Sequence, residues 1–300
     1  MYDDDRIQRL EAELANFVAI VKRTRPEPSS VPALPGIDIF GDSLPLHAAV
    51  GGDYLSFIDF KVHFDLDARI ASARASSRPE MAEMLHRNKR RAGVLLADVA
   101  GHQATDSVMG CMLHEAFFTG ALYELELFGE ITPKLFDNIN RRFYRCSEPQ
   151  PKLITMIYGE IADSGTFRFL SAGHPAPLVF SREYGRFVPL DRELLVNSPP
   201  IGLQRSEGQN EGICSFCPFE CKQKYHVNEL RLMNRDDILL LHTDGLSEHA
   251  DGRYFPAQLE KVILKAQKLP ARNIYEAVID DLNRFAQPED DISLVVIKRT

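Results

Sequence analysis

Apolar runs that stop at an acid recur along this chain. Val94, Leu95, Leu96 and Ala97 read as a short buried strand that ends in Asp98 and a turn containing Gly101. The segment Asp237 to His242 ends in Thr243, Asp244 and Gly245, and the strand ISLVVIK follows Asp290 and Asp291. Ile37 to Val50 and Tyr54 to Phe64 alternate, which predicts two strands flanking a turn at Gly51, Gly52 and Asp53. From 153 to 190 the pattern predicts LITMIYGEI, TFRFLSAGH, PLVF and RFVPL as strands, and their short connections ADSG and REYG favour antiparallel hairpins.

Helical spacing appears elsewhere. Ile7, Leu10, Leu14, Phe17 and Val21 form a heptad seam over residues 1–25, too short to decide between a dimer helix and one packed on its own domain. Residues 26–36, PEPSSVPALPG, cannot hold a helix and read as a linker. A long buried helix is predicted over Thr105 to Phe128, and a second begins at N-cap Thr132 with Pro133 in its first turn. Leu259, Val262 and Ile263 mark one late helix; Ile274, Val278, Leu282 and Phe285 mark another. Strands, paired helices and a final strand predict an α+β fold of layered sandwich type.

Composition narrows the class. Three hundred residues, 44% of them hydrophobic, suit one large domain over 37–300 plus the N-terminal appendage, and a formal charge of −8 argues against nucleic acid as the partner. No apolar run approaches the roughly 20 residues that span a membrane. Neither signal peptide nor anchor is expected, and the expectation is a cytoplasmic protein whose five cysteines are thiols.

The acids carry the chemistry. An ionised carboxylate at the end of a core strand asks for a cation, and Asp53, Asp98, Asp244 and Asp290 all stand at such places. Hard oxygen donors without a histidine cluster favour Mg²⁺ or Mn²⁺ over zinc.

GGDY, ADVAGH, SAGHPAP, PIGL, HTDG and DDISLVV occur in an order and spacing similar to the metal-dependent serine/threonine phosphatases of the PPM (PP2C-like) superfamily. Over about residues 37 to 298 the chain most resembles its bacterial branch, typified by stage II sporulation E and sigma-factor-regulating phosphatases. The resemblance implies an α-β-β-α sandwich of two mainly antiparallel sheets flanked by helix pairs. It implies two ions: Asp98 bridges both, the Val99 carbonyl completes one, Asp53 holds the second, and Asp244 and Asp290 hold the first. Water activated between them would attack a phosphoserine or phosphothreonine, without a covalent phosphoenzyme. Asp291 is expected to orient its neighbours by hydrogen bonds. The implied partner is a phosphorylated regulatory protein such as an anti-sigma-factor antagonist, with a homodimer through the N-terminal helix as a further expectation.

Some positions leave alternatives open. Ala100 stands where eukaryotic relatives have a histidine, and Gln103 replaces a glycine common in the bacterial branch. His102 is read either as a hydrogen-bonding residue at a helix start or as catalytic. His174 either ties loop carbonyls together or shapes the substrate entrance. Residues 65–92 insert helical pieces broken near Pro79, with a basic run of Arg87, Lys89, Arg90 and Arg91 that is either a solvated face or a flap gathering an anionic substrate. A second insertion, 204–228, offers Cys214, Cys217, Cys221 and His226 as a zinc site or as an ordinary loop with free thiols. A non-catalytic module that binds phosphoproteins or partners is the competing reading; it should have lost metal acids, and none of the four is lost. A GGD-type nucleotide cyclase would not predict HTDG or DDIS, and a P-loop kinase lacks its loop.

Overall fold

The computed structural model describes residues 2–23, 30–46, 50–101, 106–146, 153–191, 194–203, 225–232 and 234–300. Helix α1 (Tyr2–Lys22) precedes strand β1 (Ile37–Leu44). Strand β2 (Tyr54–Asp59) leads into α2 (Phe60–His63), α3 (Leu66–Ala75) and α4 (Pro79–Asn88), and the chain returns along β3 (Arg91–Val99). Helices α5 (Ser107–Leu127) and α6 (Pro133–Cys146) follow. Strands β4 (Ile154–Ala162), β5 (Thr166–Ala172), β6 (Leu178–Ser181), β7 (Arg186–Val188), β8 (Asn197–Ser198), β9 (Asn228–Arg231) and β10 (Ile238–His242) come next. Then come α7 (Asp244–Ser247), α8 (Ala257–Ala266), α9 (Ala271–Phe285) and β11 (Ile292–Arg299).

Two sheets result, one in the order β1-β11-β10-β6-β7 and the other β2-β3-β4-β5-β8 with β9 also on β5. All pairings are antiparallel except β5 with β8. Their facing sides share a core of Leu55, Phe57, Val94, Leu96, Leu239, Leu241, Val295 and Ile297. The outer side of the second sheet is covered by α5 and α6 through Leu113, Phe117 and Phe136; that of the first is covered by α8 and α9 through Leu259, Ile263, Ile274 and Val278. This is the expected α-β-β-α layering. Burial on both faces explains why β3, β10 and β11 read as continuous apolar runs rather than alternating ones. The first-sheet side is further pinned at α9, where Asp38 on β1 accepts the Ala271 amide at 2.7 Å, a cap worth about 1 kcal/mol.

The strand expected up to Phe64 ends at Asp59 instead. Asp59 accepts the Lys61 amide at 2.9 Å and starts α2, so Phe60 and Phe64 stack as i, i+4 neighbours with ring centroids 6.0 Å apart.

The inserted helices α3 and α4 break at Pro79 as expected, but they do not form a flap. They join the end of β2 remote from Asp53 to the start of β3. Along β3, Asp98 lies about 23 Å from Arg91. The basic run is also neutralised in place. Arg87 pairs with Glu83 at 3.2 Å, Lys89 with Asp67, Arg90 with Asp163 at 2.6 Å and Arg91 with Glu160 at 2.9 Å.

Helix α1 lies against α5 with Val21 buried, while Ile7, Leu10 and Leu14 of its seam are each more than half exposed. Among the described residues no helix is long and apolar enough to cross a membrane.

Candidate metal centre

Strands β2 and β3 pair with Tyr54 opposite Ala97, which brings Asp53 beside Asp98 at the same edge of the second sheet. In the first sheet, His242 of β10 pairs with Leu294 of β11, so Asp244, just past β10, and Asp290 and Asp291, just before β11, meet at one end. The two sheets therefore deliver their terminal acids to one place. A gradient of exposure runs through it: Asp290 is exposed, Asp98 and Asp244 are half-buried, and Asp53 is 6% exposed.

Glycines make that approach possible. A Cβ on Gly51 would lie 2.1 Å from an Asp291 oxygen, and one on Gly52 would lie 2.4 Å from the Gly101 carbonyl and 2.8 Å from the Val99 carbonyl. Asp291 braces the turn, accepting the amides of Leu46 at 2.7 Å and Gly52 at 2.6 Å. That is the orienting role expected of it. Asp53 is held by two hydroxyls that donate to its Oδ2, from Thr243 at 2.8 Å and Ser293 at 2.7 Å.

The electrostatics are unfavourable by design of the site. Burial, followed by the charges of Asp244, Asp290 and Asp291, pushes the Asp98 carboxyl up to about 7. Burial and then Asp98 raise Asp53 well above the usual carboxylate range, against the two hydroxyls that favour its ionised form. The neighbours that act on Asp98 are thus acids of its own sign.

The donors suit a hard divalent cation, since carboxylates and the Val99 carbonyl are all oxygen. Among the described residues no three His, Cys, Asp or Glu side chains converge closely enough to form a metal cage on their own. Asp98 and Asp244 lie within hydrogen-bond reach of each other, and Mg²⁺ commonly keeps several waters and takes only one or two carboxylates. The acids present therefore fit such an ion.

The histidines separate. His174 is 1% exposed, its Nδ1 is 3.1 Å from the Thr155 hydroxyl, and burial, aided by the nearby His242, lowers its pKa to about 3. It lies beneath the acids, because Thr155 is the strand partner of Asp98, and has no open face toward a substrate entrance. Of PIGL, Ile201 exchanges backbone hydrogen bonds with Ile154 at 3.1 and 2.9 Å, the packed turn expected. His102, Cys214, Cys217 and Cys221 lie outside the described residues, and His226 is exposed.

Sequence reading missed the roles of Thr243 and Ser293. Each is a hydroxyl residue embedded in apolar strand sequence, a signal that could have marked them. A groove of about 780 Å³ runs along α5 and α6, lined by Cys111, Met112 and Tyr123 among others, and none of the site acids lines it.

Comparison with known proteins matches this architecture. No curated protein sequence matches the chain. Among solved structures, the SiaA-PP2C domain of Pseudomonas aeruginosa superposes with a TM-score of 0.66 at 13% identity, covering 98% of each chain. The RsbU and RsbW domains of a Mycobacterium tuberculosis protein give 0.60 at 21% identity, over 90% of this chain and 62% of that one. The PP2C phosphatase domain of Bacillus subtilis SpoIIE, with a fragment of its regulatory domain, gives 0.55 at 15% identity, over 87% and 62%. The chain thus spans less than two thirds of the mycobacterial and Bacillus chains, and at these identities the likeness establishes the PP2C-like fold. The family model described as stage II sporulation protein E (SpoIIE) matches residues 88–300, which include Asp98, Asp244 and Asp290. The chain belongs to the SpoIIE family.

Proposed function

We propose that this protein is a Mg²⁺- or Mn²⁺-dependent phosphatase that removes phosphate from serine or threonine of a regulatory protein, such as an anti-sigma-factor antagonist. The observation that carries the reading is the meeting of Asp53, Asp98, Asp244 and Asp290 at one edge of both sheets, where the charges acting on Asp98 are negative. Asp98, Asp244 and Asp290 would hold one ion; Asp98, Asp53 and the Val99 carbonyl would hold the other. Two divalent ions bound there supply an acidified water and neutralise phosphoryl charge.

The chain's own residues do the rest. Thr243 and Ser293 orient Asp53 by donating to its Oδ2, and Asp291 holds the glycine turn that lets Val99 face the site. His174 positions Thr155 behind Asp98 and stays neutral. The competing reading, a non-catalytic partner-binding module, has no lost acid to support it.

The likeness to a domain described as part of the cell-fate determinant SpoIIE supports a regulatory phosphoprotein as substrate. The exposed seam of α1 supports pairing of two copies. Hydrolysis of an aryl phosphate and of a phosphoserine peptide, with chelator, Mg²⁺ or Mn²⁺ added in turn, tests the proposal. Turnover only with metal is expected; equal turnover in chelator contradicts it.

A further inference from the structure

The hydroxyl of Tyr54, one residue beyond Asp53, is not confined to Ser56, its hydrogen-bond partner on β2. It reaches across to α5 and hydrogen-bonds Nδ1 of His114. With the phenol as donor, the imidazole accepts at Nδ1 and carries its own proton on Nε2. One turn earlier, Gly110 faces Tyr54: a Cβ there would sit 3.4 Å from the Tyr54 Cβ, in ordinary van der Waals contact. One turn later, Phe118 stacks on the His114 ring with centroids 4.6 Å apart and on His63 of α2 at 5.3 Å. Gly110, His114 and Phe118, spaced i, i+4 and i+8, therefore make one stripe of α5 that grips β2 and α2.

We propose that His114 is a positioning residue for the metal centre: its neutral ring accepts the Tyr54 hydroxyl and thereby fixes the start of β2 and the adjoining Asp53. This rests on the phosphatase reading of that site. A protonated ring carries hydrogen on both nitrogens and can only donate to the Tyr54 oxygen, so acidification would reverse the direction of the bond rather than remove it. The groups around it are His63 from α2, Tyr54 from β2, and Cys111 and Glu115 from α5 itself. Burial lowers the His114 pKa, Glu115 opposes that and His63 adds to it, which keeps the ring neutral near pH 7.

The test uses the full chain, three single variants and the double variant of His114→Leu with Tyr54→Phe. His114→Leu removes the acceptor, Tyr54→Phe removes the donor, and His114→Gln keeps an amide oxygen that cannot titrate. Mn²⁺ affinity is measured by calorimetry between pH 5.5 and 8, with thermal unfolding of each metal-free protein alongside. His114→Leu and Tyr54→Phe should each weaken Mn²⁺ binding by about 10-fold, and the double variant no further, because both remove one bond. His114→Gln should bind within about 3-fold of the unaltered chain at pH 7.5, because its amide can still bond the Tyr54 hydroxyl. Unchanged affinity in both single variants, or fully additive losses, would overturn the proposal. Absence of Mn²⁺ binding by the unaltered chain would instead remove the phosphatase reading, and the positioning role with it; additivity in the thermal cycle would then show separately whether the Tyr54–His114 bond joins β2 to α5.

Discussion

The two ends of β3 treat charge in opposite ways. At Arg91 the guanidinium pairs with buried Glu160 at 2.9 Å, and Glu160 also accepts the Tyr158 hydroxyl at 2.8 Å. At Asp98 an acid meets other acids, and its carboxyl is pushed up to about 7. Both ends belong to the same strand, in the same layered fold. At the paired end each charge is compensated, so removing one partner would strand the other in the interior. The acid end costs stability in the metal-free chain, and such a cost is what marks it as the candidate site.

Breaking each end should therefore give opposite results. Asp98→Asn should lower metal-dependent turnover by at least about 100-fold, since even residues behind a metal ligand are worth 10–100-fold. The same change should leave the metal-free protein as stable or more stable, because it removes a repelled charge. Arg91→Ala should do the reverse, costing about 3 kcal/mol by stranding Glu160 while Mn²⁺ affinity holds. Denaturant unfolding and calorimetry on the two variants read both halves.

Gly51→Ala sharpens the comparison from the backbone side. Its Cβ would press on the Asp291 carboxylate, so a loss of about 1–3 kcal/mol and weaker metal binding should appear together.

How far the sequence disclosed this contrast differs between the two ends. Strand-end acids were legible because an ionised group after an apolar run has no stabilising reason to be there. Helices α5, α6, α8 and α9 were legible from period alone. The pairing at Arg91 was not, since Glu160 and Asp163 lie on β4 and in the turn after it, and a basic run looks the same whether solvated or neutralised. Nor could the sequence show that Thr243 and Ser293 converge on Asp53, because they are 190 and 240 residues away along the chain. The end of β2 was misread because Phe60 and Phe64 satisfy both a strand alternation and one helical turn; the Asp59 cap decides between them.

The acid end should also respond to pH. The Asp98 carboxyl lies near 7 in the folded chain and near 3.8 when unfolded, so between those values the folded state binds more protons. Stability of the metal-free protein from this group is fully present below about pH 4 and is lost as pH rises toward 7. Metal must displace that proton, so Mn²⁺ affinity should rise through about pH 7 in the unaltered chain.

The most direct test is calorimetric titration of Mn²⁺ into the unaltered protein and Asp98→Asn side by side at pH 8. Saturable binding in the unaltered chain that is lost in the variant, with both proteins folded by circular dichroism, is the predicted result. Equal binding by the two would contradict the assignment of this acid cluster as the metal centre.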